Sequence, residues 1–131
     1  YAVLPVPYER SVSFGRGTAR APSAILKASV QLELFDEELK VPLDLDVQTL
    51  PAIPCRTGTT RHVFTLIECA ARKVLEAGRF LMTFGGEHSI TMPLVAATQK
   101  IIANDLCVLH LDAHLDLRKK YKLVFFNEQG L

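Results

Sequence analysis

The fold is decided by two stretches, residues 80–89, FLMTFGGEHS, and residues 106–116, LCVLHLDAHLD. Each begins with an apolar run, interrupted only by Thr83 in the first and by His110 in the second, and then turns polar. Because these runs do not alternate between polar and apolar residues, we expect two strands, 80–84 and 106–111, that are buried on both faces. Such strands are typical of a parallel sheet covered by helices, which predicts an α/β domain.

Helical patterns precede and separate these two predicted strands. Apolar residues recur at helical spacing over residues 63–74, with Thr60 as the expected N-cap and Gly78 after the C-terminal end. A second helix is expected to begin at Ser89 as its cap, with Pro93 in the first turn. The expected inward face of this helix consists of Leu94, Val95, Thr98, Ile101 and Ile102.

The first part of the chain predicts shorter elements. Residues 1–6 indicate a strand that Pro5 places at a sheet edge or a strand end, because proline lacks the N–H that a central strand uses. Residues 41–47 alternate between apolar and polar types, which predicts a half-buried strand near an edge. Between them we expect a loop over residues 11–18, with left-handed backbone at its glycines, and a helix over residues 22–30.

Composition restricts the class of protein. The 131 residues suffice for one domain, and 49% of them are hydrophobic. A net charge of +1 without a basic patch argues against nucleic acid, and no apolar run approaches the ~20 residues that span a bilayer. Three cysteines without CxxC spacing favour a reducing compartment, which we expect to be the cytoplasm. Because the chain opens on Tyr1 inside an apolar run, we expect it to be part of a longer protein.

The second stretch carries a pattern typical of a metal site. Asp112, His114 and Asp116 are spaced so that an extended segment projects all three to one side. Two carboxylates that close need a cation, and an oxygen-rich set with imidazole suits Mn²⁺, while Zn²⁺ and Fe²⁺ accept the same donors. His88 can close the site, because ligands bind beyond the carboxyl ends of parallel strands. We therefore expect a metal that activates water for hydrolysis.

The other candidate residues have simpler structural explanations. A lone histidine after two glycines is more often a capping or packing residue, so His88 is assigned only because of the second motif. Gly85 and Gly86 are expected to allow a tight turn from strand to helix. We expect a core or supporting position for His110, a surface position for His62, the solvent face of an edge strand for Asp44 and Asp46, and packing for Cys55, Cys69 and Cys107.

The two motifs, Gly-Gly-Glu-His-Ser at 85–89 and Asp-Ala-His-Leu-Asp at 112–116, together resemble the ureohydrolase (arginase and agmatinase) family. Four N-terminal stretches resemble its agmatinase branch: residues 6–9, 13–18, 21–25 and 32–36. The resemblance covers most of residues 1–121, which we expect to be the N-terminal part of a single domain. Residues 122–131, KLVFFNEQGL, form a tail that departs from the family pattern.

The resemblance implies a fold and a chemistry. The fold is a three-layer α/β/α domain with a mainly parallel, arginase-like sheet, incomplete in this chain. Two Mn²⁺ ions are implied, one bound by His88, Asp112 and Asp116 and the other by Asp112 and His114. A metal-bridging hydroxide would attack a guanidinium carbon, converting agmatine to putrescine and urea. The complete protein would be a homo-oligomer acting on a small guanidino compound.

No catalytic residue beyond these ligands is assigned, because the proton-shuttle histidine of the family and its further metal-binding aspartates have no counterpart in this sequence. Two other interpretations stay open. One is a catalytically inactive metal-binding or oligomer-interface module, suggested by the missing carboxylates. The other is a metal-dependent deacetylase, which the Asp-Ala-His-Leu-Asp motif and the N-terminal match disfavour. Urea release discriminates among the three.

Overall fold

A computed structural model describes residues 1–102 and 106–116, together with the backbone of residues 120–121 and 124–125. Its main sheet is parallel and has three strands, with β1 (Ala2–Val6) between β4 (Gln48–Thr49) and β5 (Leu81–Gly85). Two short antiparallel pairs accompany it, namely β2 (Phe35–Asp36) with β3 (Val41–Pro42), and β6 (Lys120–Tyr121) with β7 (Val124–Phe125). The predicted α/β class and parallel sheet are confirmed.

The first strand is central in the sheet, so the edge position is wrong, whereas the alternative, a strand end, agrees with Pro5 as the penultimate residue of β1. All five residues of β1 are buried, and β5 pairs with it along its whole length. The carbonyl groups of Val3 and Pro5 accept hydrogen bonds from Leu50 and Ile53, on the side of β4. Pro5 is tolerated because its nitrogen faces that side, where β4 has already ended and no ladder bond is lost.

Three α-helices accompany the sheet: α1 (Ala21–Ala28), α2 (Thr60–Glu76) and α3 (Thr91–Gln99). The helices predicted over residues 22–30 and from Thr60 onward are therefore confirmed. The cap of α2 lies one residue earlier than predicted, at Thr59, whose hydroxyl oxygen accepts the N–H of His62 at 3.2 Å. None of the described helices combines the length and apolarity that a membrane crossing requires.

The start of α3 differs from its prediction. A 3-10 turn, His88–Ile90, precedes the helix, and Ser89 does not cap it but donates its hydroxyl to Glu87 Oε1 at 2.7 Å. The expected inward face is also partly wrong, since Pro93 and Ala97 are buried whereas Ile101 and Ile102 are exposed. The helix ends at Gln99, so the two isoleucines lie beyond its packed face.

The expected strand over residues 41–47 is wrong. Only Val41–Pro42 forms a strand, and its partner is the short β2 rather than the main sheet. Leu45 and Val47 stay about half exposed, at 48% and 49%. The main sheet instead takes Gln48–Thr49 as its outer strand, so Asp44 and Asp46 are exposed but lie outside any strand.

The two strands expected to be buried on both faces also differ from the structure. β5 forms one residue later than predicted and leaves Met82 46% exposed. Residues 106–111 form no strand, and Leu109 and Leu111 are 83% and 87% exposed. A doubly buried strand needs neighbours on both edges and helices on both faces. Within the described part of the chain, β5 has β1 on one edge only, and residues 106–111 pair with nothing.

The core lies between the sheet and α2. It consists of Leu4, Val6, Tyr8, Ile53, Cys55, Val63, Ile67 and Ile90. Burial raises the pKa of the Cys55 thiol, and this cysteine packs as expected. Cys69 and Cys107 are exposed, so the packing role expected for them is wrong.

We expect Ile67→Ala to lower the free energy of unfolding by roughly 2–5 kcal/mol, because Ile67 is completely buried and its removal leaves a cavity. Urea denaturation followed by circular dichroism measures this. Cys69→Ala, on the exposed face of the same helix, is the control and should change the free energy by less than about 0.5 kcal/mol. Equal midpoints for the two variants would contradict the assigned core.

Candidate metal centre

The end of β5 places His88 at the carboxyl edge of the sheet. The N–H groups of Gly86 and Glu87 donate to the carbonyl oxygens of Val6 and Tyr8, at 3.1 and 3.0 Å. Any Cβ at position 86 would overlap the Tyr8 carbonyl. Gly86 is therefore needed for a close approach between two backbone segments in the tight turn that follows β5, although neither Gly85 nor Gly86 has a positive φ.

Glu87 joins this turn to the loop that follows β1. Its Oε2 accepts the N–H groups of Arg10 and Ser11 at 3.1 and 2.8 Å, and its Oε1 accepts the hydroxyls of Ser11 and Ser89 at 2.6 and 2.7 Å. Burial raises the pKa of Glu87, but these hydrogen bonds favour the ionised form more strongly, so its pKa lies below the usual value. No role was predicted for Glu87 from the sequence, although a carboxylate immediately beside a candidate metal ligand indicates a residue that supports the ligand.

Three of the four predicted ligands converge. His88 Nδ1 lies 3.6 Å from Asp112 Oδ2, and His88 Nε2 lies 3.4 Å from Asp116 Oδ2. One ligand atom from each residue lies within 4.8 Å of the other two. The three side chains remain partly open to solvent, with Asp112 the least exposed at 26%. The predicted cluster of His88 with the two aspartates therefore forms although residues 106–111 are not a strand.

His114, the fourth predicted ligand, faces the other oxygen of Asp112. Its ring Nδ1 lies 3.2 Å from Asp112 Oδ1, and its backbone N–H donates to the same oxygen at 2.8 Å. The backbone bond from His114 is the main reason that the pKa of Asp112 is lowered. The two oxygens of Asp112 thus face different histidines.

The remaining histidines are His110, which lies beside the cluster, and His62, which lies near the start of α2. His110 is 45% exposed and lies beside the cluster, its Nε2 3.9 Å from Asp116 Oδ2. It is therefore not a core residue, and the geometry matches the alternative, a supporting position. His62 is exposed near the start of α2, as expected.

The donor set fits a divalent cation. Two ligand atoms that are each ~2.1 Å from one ion lie roughly 3.0–3.4 Å apart, and His88 Nε2 lies 3.4 Å from Asp116 Oδ2, whereas Asp112 Oδ2 faces the other ring nitrogen at 3.6 Å. The two carboxylates would offset a double positive charge, and imidazole nitrogen completes a mixed set. Asp116 adopts a left-handed backbone with φ 50°, an unfavourable conformation that is enriched at functional sites.

Comparison with known proteins shows the family of this chain. The family model described as "Arginase family" matches residues 1–130. The chain belongs to the arginase family. The recognition made from the two motifs is thereby confirmed.

Among the relatives of this arginase-family chain is the N(1)-aminopropylagmatine ureohydrolase of Thermus thermophilus, 40% identical over 121 residues that cover 92% of the chain and 41% of that protein. The agmatinase of Bacillus anthracis is 34% identical, with the same two coverages. The solved structure of the agmatine ureohydrolase of Thermoplasma volcanium superposes with a TM-score of 0.77 at 27% identity, over 95% of this chain and 41% of that one. These relatives are hydrolases, and the chain spans about two-fifths of their length.

A second acidic residue, Glu9, organises the loop beside the site. One of its carboxylate oxygens accepts the N–H of Gly17 at 2.8 Å and the other accepts the N–H of Ala19 at 2.9 Å. The bonds from Ala19 and then Gly17 lower the pKa of Glu9. Gly17 has φ 113°, so the left-handed backbone expected in this loop is confirmed.

We expect Glu9→Gln to destabilise the fold at pH 7, because one amide oxygen cannot replace two carboxylate oxygens that face separate N–H groups. The pKa of Glu9 in the folded chain lies below its ordinary value of 4.5. The ionised form therefore stabilises the fold above about pH 4.5, and this contribution disappears as the pH falls through the lowered pKa.

Urea denaturation of the variant and of the parent chain at several pH values measures the difference. We expect that difference to be largest near neutrality and to shrink in acid, whereas Glu37→Gln on an exposed turn should show little effect at any pH. A difference independent of pH would be inconsistent with an ionised Glu9 holding the loop.

Proposed function

We propose that this chain provides part of a divalent-metal centre in a ureohydrolase, and that the complete protein hydrolyses a guanidino compound to urea and an amine. The observation that carries the proposal is the convergence of His88, Asp112 and Asp116 within 4.8 Å at the carboxyl edge of a parallel sheet. Membership of the arginase family and ureohydrolases among the relatives support it.

The proposed metal is Mn²⁺, with two ions in the complete protein. His88, Asp112 and Asp116 would hold one ion, and Asp112 with His114 would contribute to the second. This division is supported by the two oxygens of Asp112, which face His88 and His114 respectively. When bound, the ions supply Lewis acidity and lower the pKa of a water molecule to near neutrality.

The described residues contribute charge and orientation to this reaction. Asp112 and Asp116 supply the negative charge that retains a divalent metal. His114 fixes the direction of the Asp112 carboxylate through its backbone N–H and its ring. Hydrolysis forms a C–O bond at the guanidinium carbon and breaks the C–N bond to the alkylamine, and urea is released.

Agmatine is the proposed substrate, giving putrescine. A second candidate is N(1)-aminopropylagmatine, favoured by the name of the relative that is 40% identical. Both compounds carry a guanidinium group and a cationic tail without a carboxylate, which separates them from arginine.

The proposal extends to the compartment and the assembly state of the complete protein. All three cysteines are free thiols, which supports a reducing compartment, the cytoplasm. Large apolar side chains on the surface, such as Leu34 and Leu39, support assembly into a homo-oligomer. The net charge of +1 offers no electrostatic basis for nucleic-acid binding.

Urea release from Mn²⁺-loaded protein tests this function. We expect the gene product that contains this chain to have a kcat/KM for agmatine, or for its aminopropyl derivative, at least about tenfold above that for arginine, ~1.4 kcal/mol in transition-state binding. Asp112→Asn in the same protein should abolish release. The 131-residue chain alone should release none, because its described ligands cannot hold two ions close together.

The outcomes separate the alternatives. Metal binding by the gene product without urea from any guanidino compound would favour the inactive metal-binding module. A clear preference for arginine would refute the proposed substrates. Deacetylation in place of urea release would favour the third interpretation, against which the match to the arginase family stands.

A further inference from the structure

Both carboxylate oxygens of Glu87 accept hydrogen bonds. It stands between Gly86, which touches the Tyr8 backbone, and His88, which faces both aspartates. Its carboxylate accepts four hydrogen bonds, and three of these come from Arg10 and Ser11, which lie more than 70 residues earlier in the sequence. Glu87 thus connects the turn that carries His88 to a distant segment.

That distant segment, Tyr8–Ser11, is itself firmly anchored. The Arg10 guanidinium donates to the carbonyl oxygens of Cys55, Gly58 and Thr57 at 2.7, 2.8 and 3.2 Å. It also lies over the Tyr8 ring, 5.6 Å from the centroid, and Tyr8 is part of the buried core. A residue bonded to this segment is therefore held against the core rather than against a free loop.

We propose that Glu87 is a positioning residue, which ties the turn of His88 to the anchored Tyr8–Ser11 segment and so sets the direction in which the imidazole meets Asp112 and Asp116. The inference rests on the proposed metal centre. The His88 side chain is 61% exposed, so packing does little to fix its direction. The turn must supply that constraint, and the Glu87 side chain holds the turn together with the backbone bonds from Gly86 and Glu87 to Val6 and Tyr8.

The hydrogen-bond donors around Glu87 allow a positioning role to be distinguished from an effect of its negative charge on the metal. One oxygen of Glu87 meets two backbone N–H groups, while the other meets the hydroxyls of Ser11 and Ser89, which can rotate to accept as well as to donate. Glutamine can reproduce this set, with its carbonyl oxygen toward the N–H groups and its NH₂ toward the hydroxyls. Positioning should therefore survive Glu87→Gln, whereas a charge effect on the metal should not.

The first test is the affinity of the 131-residue chain for Mn²⁺, measured from the electron paramagnetic resonance of the free ion. We expect Glu87→Ala to weaken binding by roughly 10–100-fold, the usual effect of losing a residue that orients a ligand. Glu87→Gln should remain within about threefold of the parent chain. Glu37→Gln, on an exposed turn outside the Tyr8–Ser11 segment, is the matched control and should bind like the parent.

A second test needs no metal. Amide hydrogen exchange should be faster in Glu87→Ala and close to the parent rate in Glu87→Gln at two pairs of residues: Arg10 and Ser11, whose N–H groups donate to Glu87, and Gly86 and Glu87, whose N–H groups donate to Val6 and Tyr8. If Glu87→Ala does not fold, Ser11→Ala, which removes a single hydroxyl donor, should show a smaller change in the same direction in both tests.

These measurements keep the inference distinct from the proposed function. If the parent chain binds no Mn²⁺, the metal centre fails, while the exchange rate at Gly86, whose N–H donates to Val6, still decides whether Glu87 holds the turn. Unchanged Mn²⁺ affinity in folded Glu87→Ala, or unchanged exchange at Gly86, would overturn the positioning role. Equal losses in Glu87→Ala and Glu87→Gln would also overturn it, in favour of a charge effect.

Discussion

The parallel pairing of β1 with β5 is the interaction on which the rest of the structure depends. Its register runs from Ala2 opposite Leu81 to Val6 opposite Gly85, so both strands end at the same edge. The segment after β1 and the turn after β5 consequently meet there, where glycine at position 86 lets the two backbones touch. The positions of the Tyr8–Ser11 segment, Glu87 and His88 all depend on this contact.

The sequence predicted the elements whose signals are local. Helix α2 follows from the spacing of its apolar residues, and the spacing of carboxylate and imidazole groups predicted that His88, Asp112 and Asp116 would lie close together. The central position of β1 could not be predicted, because the effect of Pro5 depends on where its neighbour β4 ends. Glu87 was overlooked for a related reason, since its partners Arg10 and Ser11 are distant in the sequence.

The doubly buried strand predicted over residues 106–111 was wrong, because both faces of a strand are buried only when the helices and neighbouring strands of an assembled sheet cover it. Leu109 and Leu111 have the composition of a doubly covered strand and are exposed in the described chain. This chain spans about two-fifths of the length of its relatives, while the pattern of apolar residues is that of a larger sheet. The aspartates after this segment nevertheless meet His88, and the two carboxylates repel each other unless a cation lies between them.

Binding of Mn²⁺ to the 131-residue chain, followed by isothermal titration calorimetry, tests the central claim most directly. The account predicts one ion per chain, lost in Asp112→Ala and weakened to a smaller extent in His88→Ala, because Asp112 supplies negative charge together with a ligand atom, whereas His88 supplies an uncharged nitrogen ligand. His62→Ala, on exposed α2, should bind like the parent chain. Full retention of Mn²⁺ by Asp112→Ala would contradict the metal centre assigned to these residues.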